Sequence, residues 1–262
     1  MLKRRLIPVL FLQDGLMVRS EVFSVHNIIG NPISHVERLT EWDVDELILV
    51  DISSRQGIYD IRRDDHKLQG SSDLMGFITM IAETCGVPLT FGGHIRTFED
   101  VYTRILNGAD KVAINSAIVV TPELVTEAAH AFGSQAVVVS IDYRLVEGTP
   151  IVFTNWGKTN TEVDVVTWAK KAEDLGAGEI LLNSIDRDGT AQGYDIGTIN
   201  EVVKAVEIPI IACGGAGHQS HFKKCFEETD AAAVAAGNIF HFTENAYPRA
   251  KKYLRQHRSD IR

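Results

Sequence analysis

Two carboxylates, Asp186 and Asp188, bracket Arg187 and run into Gly189-Thr190 just after the apolar triplet Ile180-Leu181-Leu182. Three apolar residues without alternation read as a strand buried on both faces. The residues that follow suit proton transfer and anion binding: groups that can exchange a proton, and a glycine that lets the backbone approach a ligand. In a parallel barrel the C-terminal strand ends carry the chemistry, so this segment points to an architecture and a site together.

Two glycine turns suggest what the site would hold. Phe91-Gly92-Gly93-His94-Ile95-Arg96 and Cys213-Gly214-Gly215-Ala216-Gly217 each close an apolar run. Such turns let several amides converge on one phosphate. The offset between the pairs also carries Asn115-Ser116 onto Gly237-Asn238, ahead of the last helix, where an amide-rich N-terminus favours an anion. The spacing suggests two similar half-barrels. It also suggests two phosphate sites facing each other across one mouth, hence a long ligand with a phosphate at each end. His94 reads as a solvated loop histidine, Cys213 as packing, and Trp156 as a cover for the mouth or a partner contact.

Eight short apolar runs must position these residues, at 6–12, 46–51, 88–91, 111–114, 136–142, 179–183, 209–213 and 232–236. Amphipathic stretches follow at 33–42, 74–84, 98–106, 122–132, 163–175, 196–206, 219–226 and 245–255. Strict alternation argues for a parallel sheet. Eight units in a chain of 262 residues argue for a (β/α)8 TIM barrel, one domain over 1–262. Two links are long. The stretch 57–73 is rich in charge and follows a strand end, so it reads as a solvated loop with a possible place over the site. The stretch 143–160 reads as a hairpin turning at Glu147-Gly148-Thr149-Pro150.

Composition narrows the class. A formal net charge of -9 argues against binding nucleic acid or an anionic membrane. Cys85, Cys213 and Cys225 have no CxxC spacing and read as reduced thiols of a cytoplasmic protein, without a metal site. Lys3-Arg4-Arg5 before an apolar run imitates a signal peptide, but Gln13-Asp14-Gly15 follows as a turn, so a first strand is expected. No cofactor motif is present.

The chain resembles the cyclase subunit of imidazole glycerol phosphate synthase, the HisF family, nearly end to end. The resemblance rests on Asp45-Glu46-Leu47 with Asp51, Gly92-Gly93 with Ile95-Arg96, Gly108-Ala109-Asp110-Lys111-Val112, Asn115-Ser116, Ile141-Asp142, Asp186-Arg187-Asp188-Gly189-Thr190 and Gly214-Gly215-Ala216-Gly217. It implies a heterodimer with a HisH-like glutaminase docked on the N-terminal face, with ammonia fed through the barrel. A four-residue charged gate at the floor would be Arg5, Glu46, Lys111 and Glu179, with Asp110 beside it as a partner contact. Phosphate and substrate contacts would fall on Arg19, Asp51, Gly93, Asn115, Asn183, Asp188, Gly189, Gly215 and Asn238. Asn183 stands where the family usually has Thr, and Arg19 where it usually has a loop Lys.

One position departs from the family. Its cyclase uses carboxylates at the ends of strands one and five, one as general base and one as general acid. Strand five keeps Asp142, but Phe11 occupies the strand-one position. Phenylalanine moves no proton, and each positioned acid or base is worth ~10²–10⁴ in rate. Asp14, past the strand end, or Asp51 would have to act in its place. The combination resembles a divergent branch linked to acetamidino modification of surface-glycan sugars, in which the pair supplies ammonia to a separate ATP-dependent sugar amidotransferase. The alternatives are a working lyase of histidine biosynthesis that converts PRFAR and ammonia to imidazole glycerol phosphate and AICAR, a phosphosugar isomerase of the sister barrel family, and a non-catalytic phosphate-binding scaffold.

Overall fold

Period-two alternation along the strands sets the architecture. On the first strand, β1 (Arg5–Gln13), Ile7 and Val9 join Ile48, Ala113, Val138, Leu181, Ile211, Ala233 and Ala235 in one buried cluster. Leu6, Leu10 and Leu12, on the opposite face, join the larger cluster shared with the helices. A slip of one residue would exchange the two sets. The computed structural model describes residues 3–54, 73–241 and 243–262.

After β1 come β2 (Leu16–Glu21), β3 (Val25–Gly30), α1 (Pro32–Glu41), β4 (Leu47–Asp51), α2 (Leu74–Thr84), β5 (Leu89–Gly92), α3 (Phe98–Leu106) and β6 (Lys111–Ile114). The chain continues with α4 (Ala117–Val120), α5 (Glu123–Phe132), β7 (Val137–Val146), β8 (Thr149–Thr154), β9 (Thr159–Asp164), α6 (Val165–Asp174) and β10 (Glu179–Ser184). It ends with α7 (Ile196–Val203), β11 (Ile210–Cys213), α8 (Gln219–Glu228), β12 (Ala233–Ala236) and α9 (Ala246–His257).

Parallel pairing runs β10-β11-β12-β1-β4-β5-β6-β7, and β7 pairs back onto β10, with Asn183 opposite Asp142. The sheet therefore closes into an eight-stranded parallel barrel with helices outside it, a (β/α)8 fold. All eight expected strands are present. Helix starts follow local chemistry: Asn31 caps α1 by accepting from the Ile33 amide at 2.8 Å, with Pro32 in the first turn. Thr97 and Asp100 form a capping box on α3, just beyond the Gly92-Gly93 turn.

The structure adds two features to the sequence reading. The link after β1 folds back as an antiparallel hairpin, β2 on β3, with a tip at Val22 and Phe23 whose φ angles are 46° and 59°. The expected hairpin at 143–160 is present as β7–β8, and β9 extends it by a third strand. That strand delays α6 to Val165, because Thr159–Asp164 pairs with β8 before the helix can begin. The charged stretch 57–73 lies outside the described residues, except for Asp73, which caps α2 through the Gly76 amide at 2.8 Å.

Candidate functional site

The mouth of the barrel opens above the inner cluster. Val9, Val50, Ala113, Leu181 and Cys213 form its base. The wall includes Phe11, Asp51, Gly93, His94, Asn115, Ser116, Asp142, Asn183 and Trp156. Strand alternation turns Phe11, Asp142 and Asn183 into the mouth and Leu12 out toward the helices, while Gly93, His94, Asn115, Ser116 and Trp156 come from the links that follow the strands. Cys213 packs in the inner cluster as expected, and burial holds its thiol well above its ordinary range.

Asp142 is the carboxylate at the centre of the mouth. Asn115 Nδ2 donates to its Oδ2 at 2.7 Å, and Asn183 Nδ2 donates to its Oδ1 at 3.1 Å. Burial pushes the carboxyl up to about 6, the two amide hydrogen bonds oppose that rise, and the charge of Asp188 adds to it. A carboxyl that titrates near neutral pH can both give and accept a proton there. Asn115 and Asn183, expected as phosphate contacts, thus also hold Asp142 in place. The Asn183 Oδ1 is buried with no hydrogen-bond partner among the described residues.

Asp51 lies at the end of β4, in register with Leu12. Its Oδ1 accepts from the Ser53 amide at 2.9 Å and from Ser53 Oγ at 2.6 Å. The turn beside it requires glycine: Gly93 has φ +98°, and a Cβ there would strike the Asp51 backbone. Gly215, at the matching point of the other half, has φ +101°, and a Cβ would strike the Gly193 carbonyl. Arg104 fixes the first turn from beneath, donating to the Gly93 carbonyl at 2.8 Å and to the Asp100 carbonyl at 2.8 Å. Sequence reading missed this buried arginine, because one Arg in an amphipathic helix carries no signal of its direction.

His94 differs from expectation. It is not solvated: its side chain is only 7% exposed, its φ is +53°, and it lines the mouth.

The 186–190 segment also takes a different role. Asp186 pairs with Arg144 at 2.9 Å and accepts from the Leu145 amide at 2.9 Å, which anchors the β7–β8 hairpin. Asp188 accepts from Ser20 Oγ at 2.6 Å, and its carbonyl accepts from the Val22 amide at 3.0 Å. Both carboxylates therefore clamp hairpins, and neither lines the mouth. Asn238 Nδ2 donates to the Ser20 carbonyl at 2.8 Å, and a Cβ on Gly189 would also meet that carbonyl. The β2–β3 hairpin thus lies across the side where Gly189, Gly215 and Asn238 sit. Arg19 pairs with Glu21 at 2.8 Å on the strand face opposite Ser20, so Ser20 and His26 face the mouth and Arg19 does not. Asp14 is exposed at the β1–β2 turn and does not reach the mouth.

The floor carries a closed ring of ion pairs. Arg5 meets Glu46 at 2.7 Å and Glu179 at 2.6 Å; Lys111 meets Glu46 at 3.1 Å and Glu179 at 2.8 Å. The four charges alternate, so each is flanked by two of the opposite sign. The Glu179 carboxyl lies below its ordinary range because the pull of Arg5 and Lys111 outweighs its burial. Asp110 is exposed beside the ring and accepts from the Leu89 amide at 2.8 Å. Among the described residues no helix is long and apolar enough to cross a membrane.

The family described as "Histidine biosynthesis protein" matches residues 5–246. The chain is 41% identical to the imidazole glycerol phosphate synthase subunit HisF of Hydrogenobaculum sp. (strain Y04AAS1), covering 100% of both chains. It is also 41% identical to the HisF subunit of Saccharolobus solfataricus and 38% identical to that of Bacillus cereus (strain G9842), again covering 100% of each.

Proposed function

The chain belongs to the histidine biosynthesis protein family, in its HisF branch, and from that premise we propose that it is the cytoplasmic barrel subunit of an imidazole glycerol phosphate synthase-type pair. A HisH-type glutaminase docks on the floor around Asp110. Ammonia released there passes the Arg5–Glu46–Lys111–Glu179 ring and travels up the barrel to the mouth. A phosphorylated substrate lies across the mouth, with one phosphate at Gly93 and Asn115. The other falls to Gly189, Gly215 and Asn238, beside the β2–β3 hairpin that Asp188 holds and that carries Arg19. The observation that carries this reading is Asp142: a buried carboxyl pushed to about 6 and held by two asparagines at the centre of the mouth.

Ring closure needs protons moved on both sides of the substrate. Asp142 serves one side as acid or base. Phe11 leaves strand one without a carboxylate, so turnover of PRFAR to imidazole glycerol phosphate and AICAR is slow. Phe11 also favours a second reading, delivery of ammonia to an ATP-dependent amidotransferase acting on a surface-glycan sugar, whereas the names of the relatives favour the first.

Mixing the protein with a HisH-type glutaminase tests the shared core of both readings. A one-to-one complex whose glutaminase rate rises on addition of PRFAR is expected. Failure of any such glutaminase to bind would overturn the proposal.

A further inference from the structure

The β8–β9 turn puts three successive residues in the left-handed region: Asn155 (φ 51°), Trp156 (φ 58°) and Gly157 (φ 72°). Glycine and asparagine suit that region, and a bulky side chain does not. Gly157 is also needed for packing, since a Cβ on it would stand 3.0 Å from Ile185 Cδ1 and 3.4 Å from Phe23 Cδ2. Trp156 buries little in return for its strain: it is 39% exposed, and it lines the mouth. A strained, half-exposed tryptophan on a cleft wall points to a contact from outside the chain.

The turn is held at the mouth from several sides. The Asn155 amide donates to Ser116 Oγ at 3.1 Å, in the link after β6. The Gly157 backbone packs on Phe23, at the tip of the β2–β3 hairpin, and on Ile185, after β10. Lys158 Nζ lies 5.8 Å from the centroid of the Trp156 ring. Phe11 and Phe23 line the same mouth, above a base of Val9, Val50, Ala113 and Leu181. Phosphates use none of this surface, so it suits a ligand with a flat or apolar part between its anionic ends. A broad indole face favours a planar unsaturated ring, which overlaps it fully, over a puckered sugar.

We propose that Trp156 stacks on a planar heteroaromatic ring of the phosphorylated ligand, of the imidazole carboxamide kind, and so sets which ring the mouth accepts. This rests on the reading of the mouth as the site of a phosphorylated substrate.

The test uses the full-length chain with two probes, read by calorimetry and tryptophan fluorescence. AICAR carries such a ring on a phosphosugar, and ribose 5-phosphate lacks it. Wild type should bind AICAR more tightly than ribose 5-phosphate, and AICAR should quench its emission. W156F, which keeps a ring, should retain most of the affinity and lose the quench, because Trp42 and Trp168 lie outside the mouth. W156A should bind AICAR at least about fivefold more weakly and ribose 5-phosphate as wild type does. A smaller loss would overturn the assignment, as would equal weakening of both probes, which would mean that the turn or the sugar matters and not the ring. Wild type that binds both probes equally would defeat the stacking alone. Wild type that binds neither would defeat the phosphosugar reading of the mouth and the stacking with it.

Discussion

Asp142 is costly to keep ionised, and that cost is measurable. Burial raises its carboxyl to about 6, above the unfolded value of roughly 3.9. Between those values the folded state holds a proton that the unfolded chain has released. The contribution is therefore fully present below about pH 4 and is lost as pH rises through about 6. D142N removes the titration, so the fall in melting temperature between about pH 4 and 7 should flatten in that variant; an unchanged slope would place the carboxyl elsewhere. Asp142 was identifiable from its position after an apolar run and from the family resemblance. Its two asparagine partners were legible as residues but not as its partners, because hydrogen bonding across strands depends on register. Phe11 was legible through the family resemblance, which marks the strand-one position, and alternation along β1 does turn it inward. The misreading of His94 as solvated has a physical source: sequence reports a loop, and only the neighbouring backbone decides which way a left-handed residue faces.

The β2–β3 hairpin is the element the sequence concealed. Leu16–Glu21 and Val25–Gly30 are mixed in polarity and joined by a tip without glycine, so neither turn chemistry nor periodicity announced a hairpin there. Its position depends on Asp188, whose carboxyl burial holds above its ordinary range and whose Ser20 contact is charge-assisted. Such a bond contributes about 1.5–3 kcal/mol. In D188A the amides of Ser20 to Phe23 should exchange at least about tenfold faster, while those of β10 keep their protection. Equal exchange in both proteins would mean that packing alone holds the hairpin. The eight barrel strands were legible because each is short, apolar and bounded by turn residues. The roles of Asp186 and Asp188 were not, because a carboxylate beside an arginine looks the same whether it moves protons or anchors a hairpin.

At the scale of the whole molecule, ion pairs close the floor and a half-disarmed mouth opens at the other end. The ring residues lie 7–17% exposed, so removing one partner leaves an opposing charge with little solvent to screen it. K111A should cost about 3 kcal/mol of stability and, with a HisH-type glutaminase bound, should release free ammonia into solution for each glutamine consumed. Retained coupling would count against passage through the floor. The account as a whole rests on one substitution at the rim. Wild type and F11D, each supplied with PRFAR and excess ammonium salt, give its most direct test. The expected result is slow wild-type turnover and at least a tenfold gain in F11D. Wild-type turnover at ordinary enzyme rates, with F11D no faster, would contradict it.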